Sequence, residues 1–125
     1  MASAFLLLIV VVVAFLVDRR HSQRQSAIKC VLAWGRLAPF PDDAQDFQIR
    51  VDGSMFTRSF RVSFRGNPQV IADWLSECPG IADAEQQKVG PSRTQYRIRP
   101  GEGAQGAEVE VDHDQGVVKI YVYWS

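Results

Sequence analysis

From Ala4 to Val17 the chain reads AFLLLIVVVVAFLV, fourteen residues without one polar side chain. Water cannot hold such a run in the open, so it enters lipid, is cleaved off or is buried in a core. Residues 1–17 carry no charged side chain. As a helix they span about 25 Å, near the low end for crossing a hydrocarbon core of ~30 Å. A cleaved signal peptide needs basic residues ahead of the apolar run and a small-x-small site behind it. Here MASA holds no Lys or Arg, and Asp18-Arg19-Arg20-His21 follows Val17 directly. A lipoprotein signal is also absent, because Lys29 precedes Cys30. The flanks therefore predict a retained transmembrane helix over 1–17, with a domain secreted after cleavage as the alternative.

The charges set an expected orientation. Arg19, Arg20, Arg24 and Lys29 all lie on the C-terminal side of the apolar run, with only Asp18 against them. Lys and Arg resist translocation. The expectation is a single-pass protein of the cell membrane with its C-terminal domain in the cytoplasm and its bilayer contact through residues 1–17. The basic cluster reads as a stop-transfer flank rather than a headgroup-specific site, which usually needs a denser cluster. Residues 30–125 hold ten basic and thirteen acidic side chains. That mild acidity argues against nucleic acid as a partner.

Residues 18–41 read as a basic juxtamembrane segment and linker. Ile28, Val31 and Leu32 recur at helical spacing, so the membrane helix extends or a short amphipathic helix follows. Trp34 suits either the headgroup level or a seat on the domain. Pro39 and Pro41 stop any helix, since proline lacks the amide donor and clashes with the preceding turn.

Residues 42–125 then read as one small α+β domain, an antiparallel sheet with one packed helix in the order ββαβββ. Phe47, Ile49 and Val51 alternate with polar residues, as do Phe60, Val62 and Phe64. Asp52-Gly53 marks the turn between them. Asn67 and Pro68 open a helix as cap and first residue. Val70, Ile71, Trp74, Leu75 and Cys78 form its apolar stripe, and Pro79-Gly80 ends it. Residues 81–94 lack periodicity and are expected as loop. Three strands follow, carrying Tyr96 and Ile98, then Ala107, Val109 and Val111, then Val118, Ile120, Val122 and Trp124. Pairing Val111 with Val118 sets Glu110 against Lys119, and a one-residue slip would set it against Ile120. Pairing Ile98 with Val109 sets Arg97 against Glu110 and Arg99 against Glu108, which favours that register by opposite charge.

Few residues carry reaction chemistry. Gly101-Glu102-Gly103-Ala104-Gln105-Gly106 matches G-x-G-x-x-G, but a dinucleotide site needs a helix after the third glycine, and Ala107–Asp112 has strand period. Asp112-His113-Asp114 lies in a turn and reads as solvated, since a structural zinc wants four ligands. Cys30 and Cys78 stand outside any metal-spaced cluster, and Cys78 is expected to pack as a small apolar residue. No catalytic residue, metal ligand or cofactor site is assigned. The remaining feature is a candidate partner-binding face formed by Arg61, Arg65, Arg97, Arg99, Tyr121 and Tyr123, suited to an acidic partner or to aromatic contact.

The stretches Gly53 to Arg61, Trp74 to Gly80, Tyr96 to Gly106 and Ile120-Tyr121-Val122-Tyr123-Trp124-Ser125 resemble small uncharacterised bacterial proteins in which an apolar N-terminal segment precedes a domain of this layout. The resemblance covers most of residues 31–125. It implies bacterial origin and a single domain, and brings no activity with it. The favoured reading is a membrane-tethered binding or assembly module without enzyme activity. The alternative is a small enzyme or ligand-binding domain that uses the Gly101–Gly106 loop.

Overall fold

The computed structural model describes residues 2–125. It is an α+β fold with an N-terminal helix and a six-stranded antiparallel sheet. Helix α1 (Ala2–Gly35) is continuous through the basic flank and ends at Arg36, whose φ of 49° turns the chain before Pro39 is reached. Strands β1 (Gln45–Gly53) and β2 (Arg58–Arg65) form a hairpin. Helices α2 (Pro68–Glu77) and α3 (Pro79–Ala82) then carry the chain across one face to the far edge. There β3 (Glu85–Lys88), β4 (Arg93–Ile98), β5 (Gly106–Asp112) and β6 (Val117–Trp124) return as a meander. The sheet order is β1-β2-β6-β5-β4-β3, so the last strand closes against the second.

Period-two alternation puts Phe60, Val62, Phe64, Tyr96, Ile98, Val109, Val111, Val118, Ile120 and Val122 on one buried face. The helices cover it. From α2 come Ile71, Trp74 and Leu75, with Cys78 just beyond, as the apolar stripe predicts. Asn67 caps α2 by accepting from the Gln69 amide at 2.9 Å. Phe64 meets the Trp74 ring edge-on at 5.5 Å, and Phe40 bridges Phe47, Phe64 and Trp74. The Trp74 indole N–H donates to the Ala38 carbonyl at 3.1 Å, so its one polar group is satisfied.

The C-terminal half of α1 belongs to this core. Ala27 and Val31 are buried, and Trp34 packs edge-on against Phe60 at 5.2 Å. The domain thus takes its covering layer partly from the helix ahead of Pro39. The joint is close: Gly80 donates its amide to the Arg36 carbonyl at 2.8 Å, and a Cβ at Gly80 would strike the Gly35 carbonyl oxygen. Arg36 adds a bond from Nε to the Arg99 carbonyl and an ion pair with Asp83 at 2.6 Å. That guanidinium holds the Asp83 carboxyl below the usual carboxylate range.

Several expectations need correction. After the N-terminal helix the order is ββααββββ rather than ββαβββ, with one more short helix and one more strand. Residues 85–88, expected as loop, form edge strand β3, which is exposed along its length and therefore shows no apolar alternation. The β1–β2 turn sits at Ser54–Thr57, with Gly53 still in the strand. The β4–β5 register is two residues away from the one favoured by charge: Tyr96 faces Val109, Ile98 faces Ala107 and Arg97 faces Glu108. A two-residue slip keeps every side chain on its face, so alternation is blind to it. The β5–β6 register, with Val111 against Val118 and Glu110 against Lys119, agrees with the expectation. Among the described residues, no helix is long and apolar enough to cross a membrane. The apolar run stops at Val17, and Asp18, Arg19 and Arg20 follow without a break.

Candidate functional site

The outer face of the sheet carries two rows of polar side chains that can be read straight across the strands. One row runs Arg50, Arg61, Tyr121, Glu108, Arg97, Glu85. The next runs Gln48, Ser63, Lys119, Glu110, Gln95, Gln87. Over the β1, β2, β6 and β5 part of these rows the face is concave, enclosing about 810 Å³ open to solvent. Ser63 is the short side chain among longer ones in its row. Arg24 of α1 reaches the rim, with its guanidinium 5.4 Å from the Phe47 ring.

The expected partner-binding residues are not one cluster. Arg61, Tyr121 and Tyr123 come together. The Arg61 guanidinium lies 4.2 Å over the Tyr121 ring, which stacks on Tyr123 at 5.2 Å. Tyr123 in turn covers Gly106, where a Cβ would collide with the phenol ring. The third glycine of the G-x-G-x-x-G match is therefore required by close approach, and β5 rather than a helix starts there. Arg97 lies beyond Tyr121 and Glu108 in its row and pairs with Glu85 at 3.9 Å. Arg65 closes the end of β2 and approaches Asp46 at 3.7 Å. Arg99 lies past the end of β4, with its carbonyl bound to Arg36.

Arg50, Lys119, Ser63, Gln48 and Arg24 share the concavity with Arg61 and were not singled out from sequence. For Lys119 the signal is strand order, because β6 lies between β2 and β5 only once the chain has folded. Glu110 faces Lys119 in register, yet its carboxylate lies 3.7 Å from Arg93. Among the described residues, neither Arg61 nor Lys119 takes part in an ion pair.

Other reactive groups have structural duties. Asp112 accepts from the Ser92 hydroxyl and from the amides of Asp114 and Gln115. These bonds, the Gln115 amide foremost, hold its carboxyl below the ordinary range. His113 pairs with the Thr94 hydroxyl at 3.1 Å. The Cys78 thiol donates to the Trp74 carbonyl and accepts from the Ala38 amide, each at 3.3 Å. Burial pushes it up to about 11, so it stays protonated and unreactive at neutral pH. Both cysteines are free.

Compared with known proteins, the chain matches no family model, no curated protein and no solved structure.

Proposed function

We propose that this chain is a membrane-tethered binding module, holding its sheet domain beside a bilayer with the outer face presented to a partner. One observation carries the reading. The two halves of a single helix are both rich in apolar residues, but Ala27 and Val31 are buried while Phe5, Leu6, Leu7, Leu8 and Phe15 are each more than 60% exposed. Nothing within the fold covers the N-terminal half, and a bilayer is the solvent that suits it. Its fourteen apolar residues span about 21 Å, short of a ~30 Å hydrocarbon core. Arg19 and Arg20 make up the difference by laying their aliphatic stems in lipid and lifting their charges to the headgroups.

The basic flank supports an orientation with the domain in the cytoplasm. The test is fractionation of cells producing the full chain with a C-terminal tag. The protein is expected to sediment with membranes and to resist alkaline extraction. In sealed inverted vesicles the domain is expected to be digested by added protease. Recovery of the full-length chain from the aqueous fraction would falsify the tether, and protection in inverted vesicles would reverse the orientation.

A further inference from the structure

We infer that the concavity over Ser63 is an oxyanion site that takes one phosphoryl group. This rests on the outer face being the binding surface, and is independent of the membrane tether. Ser63 faces Gln48 on one side and Lys119 on the other, and Arg61 is its neighbour two residues along the same face. Arg50 stands directly opposite Arg61. Asp52 neutralises Arg50 at 3.0 Å, which leaves Arg61 as the cation of that pair without a carboxylate. The Ser63 hydroxyl, the Gln48 amide, Arg61 and Lys119 line one concavity, and every one of these groups can donate a hydrogen bond.

Two features set this site apart from an ordinary solvated sheet face. The first is that Arg61 and Lys119 are uncommitted, whereas Arg50 is paired with Asp52 at 3.0 Å. Arg93 draws the Glu110 carboxylate away from Lys119, and Arg61 has an aromatic ring rather than a carboxylate beneath it. The second is preorganisation. Arg61 rests on Tyr121, Tyr121 on Tyr123, and Tyr123 on Gly106, so the guanidinium is oriented before any ligand arrives. That lowers the ordering cost of binding.

The donor set selects the ligand. A carboxylate is planar and is satisfied by one guanidinium fork. A phosphoryl group offers three oxygens and up to two negative charges, which matches donors arriving from three strands. Glu108 and Glu110 line the opposite wall. They disfavour a chain of phosphates, so the site suits a single phosphoryl group, whether on a lipid headgroup or on a soluble molecule.

The experiment uses the full chain, isotope-labelled, in maltoside micelles free of phosphate. Inorganic phosphate replaces chloride at constant ionic strength, and the backbone amides of Arg61, Ser63 and Lys119 are followed by NMR. A saturable shift in the millimolar range is expected. Arg61→Gln and Lys119→Gln should each weaken binding roughly tenfold. Arg97→Gln removes the same charge farther along the row and should leave binding unchanged. A second arm places the chain in phosphatidylcholine nanodiscs with and without phosphatidic acid and no added phosphate. The same amides shifting there identifies the headgroup as the source, and their silence beside a positive micelle arm identifies a soluble phosphorylated molecule. No saturable shift of the folded protein up to about 50 mM phosphate in micelles, or equal weakening by Arg97→Gln, overturns the inference. Failure of the tether alone leaves the micelle arm intact.

Discussion

The two halves of α1 have similar side chains and opposite surroundings. Phe5 to Val17 is apolar on every side of the helix and exposed along its length, whereas Ala27, Val31 and Trp34 pack into the domain core. A helix that is apolar all round is solvated by lipid or by the interior of a larger protein, and one with a stripe is solvated by its own fold. The change falls within the Asp18–Arg24 stretch, without a break in the backbone. The apolar half and the half that joins the domain are consequently parts of one continuous helix, with no linker between them.

That contrast can be broken most severely by truncation. Removing residues 1–17 should leave a cooperatively folding domain, because none of them enters the core. Removing residues 1–35 should abolish cooperative thermal unfolding, because losing Ala27, Val31 and Trp34 uncovers the part of the sheet that α2 does not reach. Circular dichroism melts of the two truncated chains compare these outcomes directly.

Point substitutions sharpen the comparison. Val31→Asp places an unpaired carboxylate at a fully buried position and should cost about 4 kcal/mol or more in denaturant unfolding. Val12→Asp makes the same chemical change on the exposed half, and should leave the unfolding midpoint of the domain unchanged while releasing chain into the aqueous fraction. Trp74→Ala, on the helix that shares the core with α1, should cost about 3–5 kcal/mol.

A smaller effect is expected with pH. The Cys78 thiol ionises near 9 when unfolded and near 11 in the fold, because burial disfavours the thiolate. A raised folded value means that its contribution is complete below pH 9 and is lost as pH climbs through 11. The loss is on the order of 2 kcal/mol. Tyr96, raised by the same cause, adds to the decline at the alkaline end. Unfolding curves collected from pH 8 to 11 should fall less steeply for Cys78→Ala than for the parent chain. Smallest of all, Asn67→Ala removes the cap of α2 and should cost about 1 kcal/mol.

Strands with one wet face were legible because alternation is local: Phe60, Val62 and Phe64, or Val118, Ile120 and Val122, announce their buried side without knowledge of a partner. The short turn over residues 113–116 also made the β5–β6 register readable. The β4–β5 register was not, since the longer 99–105 loop permits slips of two and both alignments pair Arg97 with a glutamate. Edge strand β3 was invisible because Glu85, Gln86, Gln87 and Lys88 are all exposed and take their conformation from hydrogen bonds to β4. The candidate face was partly legible. Arg61, Tyr121 and Tyr123 were named from their alternation, while Lys119 became a neighbour of Arg61 and Ser63 only through strand order.

By itself, then, the chain's chemistry determined the apolar leader, the alternating strands, the capped helix and the absence of any recognisable catalytic motif, because each depends on residues close together along the backbone. Tertiary structure alone decided that half of α1 joins the core, that β6 inserts between β2 and β5, and that Lys119 stands beside Ser63. Those are contacts between residues tens of positions apart, and their energy comes from burying one surface against another, a quantity that no short stretch of sequence contains.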